Sequence, residues 1–135
     1  MANYLLDTNH AAALVTLTNA VRHRVLLRLQ AGDTFAISVP VVAETLFGIG
    51  LLPRATQNLA EWAKLRPNFA CYVPDESDAE NAAELQRLLR RQGRQLATVD
   101  AFIAVVTLRY DLVLLTTDND FAPVPNLKRE NWFIP

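Results

Sequence analysis

Several short segments of this 135-residue chain are apolar without alternation, and each lies between stretches with helical patterning. A strand with one face in water alternates apolar and polar side chains, whereas a strand covered on both faces does not. Leu112-Val-Leu-Leu is the clearest case, and Asn3–Leu6 and Thr34–Val39 read the same way. Phe69–Val73 is a third strand before the Leu112–Leu115 one, and Trp132-Phe-Ile a last short one. Between them the pattern predicts helices over Asn9–Thr16 and from Asn19, as N-cap, to about Ala31, with Gly32 as the stop. Pro40 suits the first turn of a helix reaching about Leu52. Further helices are expected over Ala55–Leu65, over Ala79–Gln92 capped by Ser77 or Asp78 and ended by Gly93, and over Val99–Tyr110 capped by Thr98. Strands alternating with helices imply an α/β fold with a parallel sheet covered by helices.

The length fits one domain over residues 1–135, with 51% hydrophobic residues to fill its core. No repeat, low-complexity tract or linker interrupts it. The 13 basic and 14 acidic residues nearly cancel, so net charge draws the chain to neither nucleic acid nor membrane. The 13 bases are 11 Arg and 2 Lys (Lys64 and Lys128). Arg favours bidentate contact with phosphate, although Arg-rich codon usage explains the skew equally well. A lone Cys71 among Phe69, Ala70, Tyr72 and Val73 reads as a buried thiol. Without an apolar run of ~20 residues or a basic leader, a cytoplasmic protein is expected.

Four carboxylates stand alone in uncharged segments. Asp7 closes the first strand, and Glu44 is the only ionisable residue between Val39 and Leu52. Asp100 is alone between Gln95 and Leu108, and Asp118 follows the Leu112 run. A buried carboxylate costs several kcal/mol unless a cation, a proton or strong hydrogen bonds compensate it. A divalent metal with oxygen ligands would compensate all four at once. In an open parallel sheet, ligands gather at the carboxyl ends of the strands. Chain direction takes Asp7, Glu44 and Asp118 to that rim, while a whole helix separates Asp100 from the preceding strand. Each acid also has a plainer reading. Asp7 could cap a helix, Asp100 could complement a helix dipole, and Asp118 could form a turn. Glu44 resists this, because its helix is apolar all round and leaves no solvated face. The apolar Leu46, Phe47, Ile49, Leu51 and Leu52 are read as core, with homodimerisation or a partner helix as alternatives. His10 and His23 have no Cys/His cluster around them, which excludes a zinc site.

The motifs Tyr4-Leu-Leu-Asp-Thr-Asn, Ser38-Val-Pro-Val-Val-Ala-Glu-Thr-Leu-Phe-Gly, Leu88-Leu-Arg-Arg-Gln-Gly, Thr98-Val-Asp-Ala-Phe-Ile-Ala and Leu114-Leu-Thr-Thr-Asp-Asn-Asp-Phe follow one another in order. Together they resemble a PIN-domain nuclease, specifically a VapC-type toxin of a bacterial toxin–antitoxin pair. The resemblance implies a three-layer α/β/α sandwich on a central, mostly parallel sheet of four to five strands. It makes Asp7, Glu44, Asp100 and Asp118 an acidic quartet, with Asn9, Thr116 and Asp120 as supporting residues. It further implies a Mg²⁺- or Mn²⁺-dependent endoribonuclease leaving a 5′-phosphate and a 3′-hydroxyl, inhibited by an antitoxin and expected as a homodimer. Asp7 and Asp100 are the first choice of direct ligands. Glu44 and Asp118 would complete the shell, hold a second ion ~4 Å away, or orient the water. Arg87, Arg90, Arg91 and Arg94 would grip the RNA backbone, the alternative being a solvated helix face. Arg22, Arg24 and Arg28 read as a solubilising cluster.

Two other classes of function compete. A haloacid-dehalogenase-like phosphatase needs Asp where this chain has Asn9, and a response-regulator receiver needs a Lys near the last strand, where only Lys128 is found. A PIN-fold nuclease outside toxin–antitoxin systems, or a non-catalytic binding module of the same fold, would keep the architecture.

Overall fold

The computed structural model describes residues 1–134. Five strands form one sheet: β1 (Asn3–Leu6), β2 (Thr34–Ser38), β3 (Ala70–Tyr72), β4 (Val113–Leu115) and β5 (Arg129–Glu130). Their order is β3-β2-β1-β4-β5 and every pairing is parallel. Helices α1 (Thr8–Ala13) and α2 (Ala20–Gln30) link β1 to β2, and α3 (Val39–Leu51) and α4 (Ala55–Leu65) link β2 to β3. Helices α5 (Glu76–Arg91) and α6 (Thr98–Arg109) carry the chain back across β1 to β4. The chain thus winds outward to β3 and returns on the other side of β1. Right-handed crossovers in opposite directions place α1–α4 on one face and the α5–α6 pair on the other, giving an α/β/α sandwich.

Burial follows the apolar strands. Leu5, Leu6, Phe35, Ile37, Leu114 and Leu115 are buried, as expected of strands covered on both faces. Tyr4 stacks on Phe35 with ring centroids 5.0 Å apart, and Trp132 meets Tyr4 edge-on at 5.0 Å. Trp132 is therefore a core plug rather than part of the expected last strand. The strand is Arg129–Glu130, paired with Leu114 and Leu115. Two exposed polar residues carry no apolar signal, and only pairing to β4 makes them a strand.

Two helix starts differ from expectation. Helix α5 begins at Glu76, because Asp75 and Asp78 form a reciprocal capping box. Helix α6 begins at Thr98 itself; the Thr98 hydroxyl is engaged elsewhere, accepting a bond from the Gln86 side chain at 3.3 Å. Asn19 does cap α2, and Gly32 and Gly93 take the positive φ that ends their helices. Cys71 is half-buried. Within the Arg22, Arg24 and Arg28 group, Arg24 and Arg28 stay exposed at the surface as expected, and all three also brace their surroundings. Arg22 pairs with Glu61 at 2.8 Å and donates to Leu14 O, Arg24 lies 4.0 Å over the Trp132 ring, and Arg28 reaches Asp33 at 3.7 Å. No helix among the described residues is long and apolar enough to cross a membrane.

The largest departure concerns α3. Its apolar residues do not all enter the core: Ile49 is buried, but Phe47 is 72% and Leu51 70% exposed, and Leu46 and Leu52 are also exposed. The same rotation leaves Glu44 exposed, so this helix does have a face towards solvent.

Candidate active site

The winding direction reverses between β1 and β4, and the crevice beyond their carboxyl ends is where α/β sheets bind ligands. Asp7 leaves β1 at that crevice, and Thr116, Asp118 and Asp120 follow β4 into it. Register supports the placement: Leu6 pairs with Leu115, and the Asp7 amide donates to Leu115 O at 2.9 Å.

Asp7 is held from both sides. Its Oδ1 accepts from the Thr8 amide at 2.8 Å and its Oδ2 from the Thr116 hydroxyl at 2.7 Å. Thr116 Oγ1 in turn accepts from the Asp118 amide at 3.0 Å. One buried hydroxyl therefore links the ends of two strands. Burial raises the Asp7 carboxyl above its ordinary value, the Thr116 and Thr8 bonds oppose the shift, and the Asp118 charge adds to it. Asp7 is a helix cap and a member of the cluster at once. So is Asp118, whose Oδ1 accepts from the Asp120 amide at 2.8 Å and turns the chain into the next helical turn. That turn brings Asp120 round beside Asp118.

Asp100, the acid least securely placed by chain direction, is central. Helices α5 and α6 form an antiparallel pair fastened at both ends. Arg109 donates to Asp75 at 3.1 Å and to Asp78 at 3.0 Å at one end, and Gln86 donates to Leu96 O at 2.9 Å at the other. The second fastening sets the first turn of α6, which carries Asp100, at the crevice. Carboxylate oxygens of Asp100, Asp118 and Asp120 lie within 4.8 Å of one another. The Asp100 carboxyl is pushed up to about 6, first by burial and then by the charges of Asp7, Asp118, Glu44 and Asp120. All four of these acids act on one carboxyl. None of Asp7, Glu44, Asp100, Asp118 and Asp120 takes part in an ion pair among the described residues.

The tightest group thus differs from the expected ligand pair: Asp100 clusters with Asp118 and Asp120, while Asp7 stands beside them, fixed by Thr116. Glu44 sits exposed at the mouth, its Oε1 3.4 Å from the Thr8 hydroxyl that donates to it. Asn9 donates to the Thr117 hydroxyl at 2.7 Å, bracing the loop after β4. Sequence reasoning ranked Asp120 as support, although the Asp118 turn makes it an equal member. His10 is buried; its Nε2 accepts from the Trp132 amide at 3.0 Å, and burial pushes it down to about 4. It takes no part in the cluster. Lys128 pairs with Asp111 at 2.9 Å.

All-oxygen donors, mutual repulsion and, among the described residues, no paired guanidinium or ammonium fit a hard divalent cation such as Mg²⁺ or Mn²⁺. They do not fit zinc.

Residues 4–127 match the family described as PIN domain. No curated protein matches the chain significantly in sequence. Solved structures do match. VapBC2 from Rickettsia felis, crystallised bound to a DNA fragment from its promoter, is 24% identical with a TM-score of 0.81, covering 96% of this chain and 98% of that one. DNA-bound VapBC from Salmonella typhimurium is 22% identical with a TM-score of 0.79, over 98% and 99% of the two chains. VapC20 from Mycobacterium tuberculosis, described as a sarcin-ricin loop cleaving toxin, is 24% identical with a TM-score of 0.64, over 90% and 95%.

Proposed function

Because the chain belongs to the PIN domain family, we propose that it is a metal-dependent endoribonuclease and the toxin of a toxin–antitoxin pair. The observation that carries the nuclease reading is the unpaired acid cup, in which Asp100, Asp118 and Asp120 converge within 4.8 Å and Asp7 and Glu44 add their fields. Such a cup destabilises the fold unless it is used. Asp100, Asp118 and Asp120 would hold a Mg²⁺ or Mn²⁺ ion, with Asp7 completing the shell.

When bound, such an ion offsets the charge of a phosphodiester and acidifies water near it. The protein's part is positional. Thr116 and the Thr8 amide fix the Asp7 carboxylate in one orientation. The α5–α6 fastening holds Asp100 at a set distance from the sheet. Glu44, at the mouth and within reach of the Thr8 hydroxyl, orients the attacking water and takes its proton. Water adds to phosphorus as its proton passes to Glu44, and the P–O3′ bond breaks. The departing O3′ takes up a proton from solvent, leaving a 5′-phosphate and a 3′-hydroxyl, while Glu44 returns its proton to solvent.

The toxin reading is supported by the likeness to chains crystallised as VapBC complexes. It is also supported by the exposed apolar residues of α3, which suit the apolar face of an antitoxin helix. A homodimer is the alternative use of the same apolar face of α3. Cleavage of a structured RNA with Mg²⁺ and with chelator tests the chemistry. Asp7→Asn and Asp100→Asn should each abolish cleavage in a folded domain, and cutting that persists in chelator overturns the proposal. A short upstream reading frame for a small DNA-binding protein would support the toxin assignment.

A further inference from the structure

The four arginines expected to grip RNA are all exposed but are not equivalent. Arg87 is engaged by Glu84 one turn back on α5, and that pairing holds the Glu84 carboxyl below its usual range. Arg90 and Arg94 instead line a cleft of about 420 Å³ with Gln86, Gly93, Gln95 and Leu96. Arg91 does not line it.

The cleft is built by the way α5 ends. The Gly93 amide donates to Arg90 O at 3.0 Å and the Arg94 amide to Leu89 O at 2.9 Å, a Schellman closure with Gly93 at φ +72°. This closure turns the chain back so that Arg94, four residues on, faces the same space as Arg90. Gln86 fixes the opposite wall through Leu96 O and the Thr98 hydroxyl. That wall leads directly into the first turn of α6 and so to Asp100.

We infer that this cleft is a phosphate subsite, holding one backbone phosphodiester and its nucleoside from the RNA strand beside the acid cup. The inference rests on the ribonuclease reading and adds to it the residues that seat the strand. Two guanidinium forks free of ion pairs among the described residues match a phosphate's paired oxygens. A volume of about 420 Å³ lies within the ~300–1,000 Å³ of small-ligand sites, which suits a nucleotide. The acid cup repels a polyanion, so an attractive pair on one side also sets which way the strand crosses it.

The test uses the full chain and a short labelled single-stranded RNA. Binding is read by anisotropy in chelator, and cleavage of the same RNA is read with Mg²⁺. Arg90→Ala/Arg94→Ala should weaken binding and raise KM by about tenfold while kcat stays within about twofold. The slope of log affinity against log salt should fall by roughly 1.4, about 0.7 for each lost contact. Lys64→Ala on α4, which removes one positive charge away from the cleft, should leave both readouts unchanged. Should the double variant unfold, Arg94→Gln alone, in the loop, is expected to cause about half the loss. Wild-type-like binding by the double variant overturns the subsite, and so does an equal loss in Lys64→Ala, which would reduce the effect to net charge. A wild type that binds through these arginines but never cleaves would instead overturn the nuclease reading.

Discussion

Thr116 makes two bonds at the point where β1 and β4 diverge, donating to Asp7 and accepting from the Asp118 amide. Both partners lie in the acid cup, so the hydroxyl positions carboxylates without touching substrate. Thr116→Val keeps the shape and removes both bonds. It should cost about 1–3 kcal/mol in chemical denaturation, the usual penalty for orphaned buried partners. It should also lower kcat at least about tenfold with KM little changed, because Asp7 would lose its fixed orientation. A variant of normal kcat would remove Thr116 from the machinery. Asp100 gives a prediction with a definite sign. Its carboxyl is pushed up to about 6 in the folded chain, against an ordinary value of 3.8. Below about pH 3 the group is protonated in folded and unfolded chains alike, so it imposes no penalty. As pH rises from about 3.8 to about 6 the unfolded chain gives up this proton while the folded chain keeps it among other acids, so stability falls, and above 6 the penalty stays at its full size. In chelator, Asp100→Asn should therefore raise the melting temperature by several degrees at pH 8 and leave it unchanged at pH 3. A lower melting temperature at pH 8 would mean that Asp100 merely complements the α6 dipole.

At the scale of elements, what was legible followed from the physics of each signal. β1, β2 and β4 were legible because strands covered on both faces have no polar alternation to confuse the reading. β5 was not, because Arg129 and Glu130 owe their strand geometry to the neighbouring β4 alone. The start of α5 was misplaced by a few residues, since Asp75, Ser77 and Asp78 are all good caps and only the reciprocal bonds decide among them. Asp7, Asp100 and Asp118 were found from charge isolation, whereas Asp120 depended on a turn that no spacing rule reveals. The end of α5 offers a direct check on an element. At Gly93 an added Cβ would meet nothing within 4 Å, so Gly93→Ala would suffer from φ +72° alone. The expected cost is about 1–2 kcal/mol by thermal or urea unfolding. If the closure also aims Arg94, the same variant should weaken RNA binding. A loss of stability with unaltered RNA affinity would separate the turn from the cleft.

For the whole molecule, the decisive surface is α3. A helix apolar all round can be read as buried on every side, which is why its outward residues were assigned to the core. The sheet and α1 can cover only one side of it. Phe47 and Leu51 are left 72% and 70% exposed, next to Leu46 and Leu52. Exposed side chains contribute little to folding, so Phe47→Glu/Leu51→Glu should leave the melting temperature within about 1 °C. If the proposed toxin reading holds, the same change should weaken capture of its antitoxin by about 2 kcal/mol or more, the threshold for a hot spot, measured by calorimetry with the purified partner. RNA cleavage by the free variant should persist, because no acid of the cup is altered, and in cells the antitoxin should then fail to restrain it. Unimpaired antitoxin binding would assign this face to self-association, and a concentration-dependent mass that falls in the variant would show it. Should the variant melt well below the wild type, α3 would be packing inward after all, and its exposed face could not serve as a docking surface for any partner.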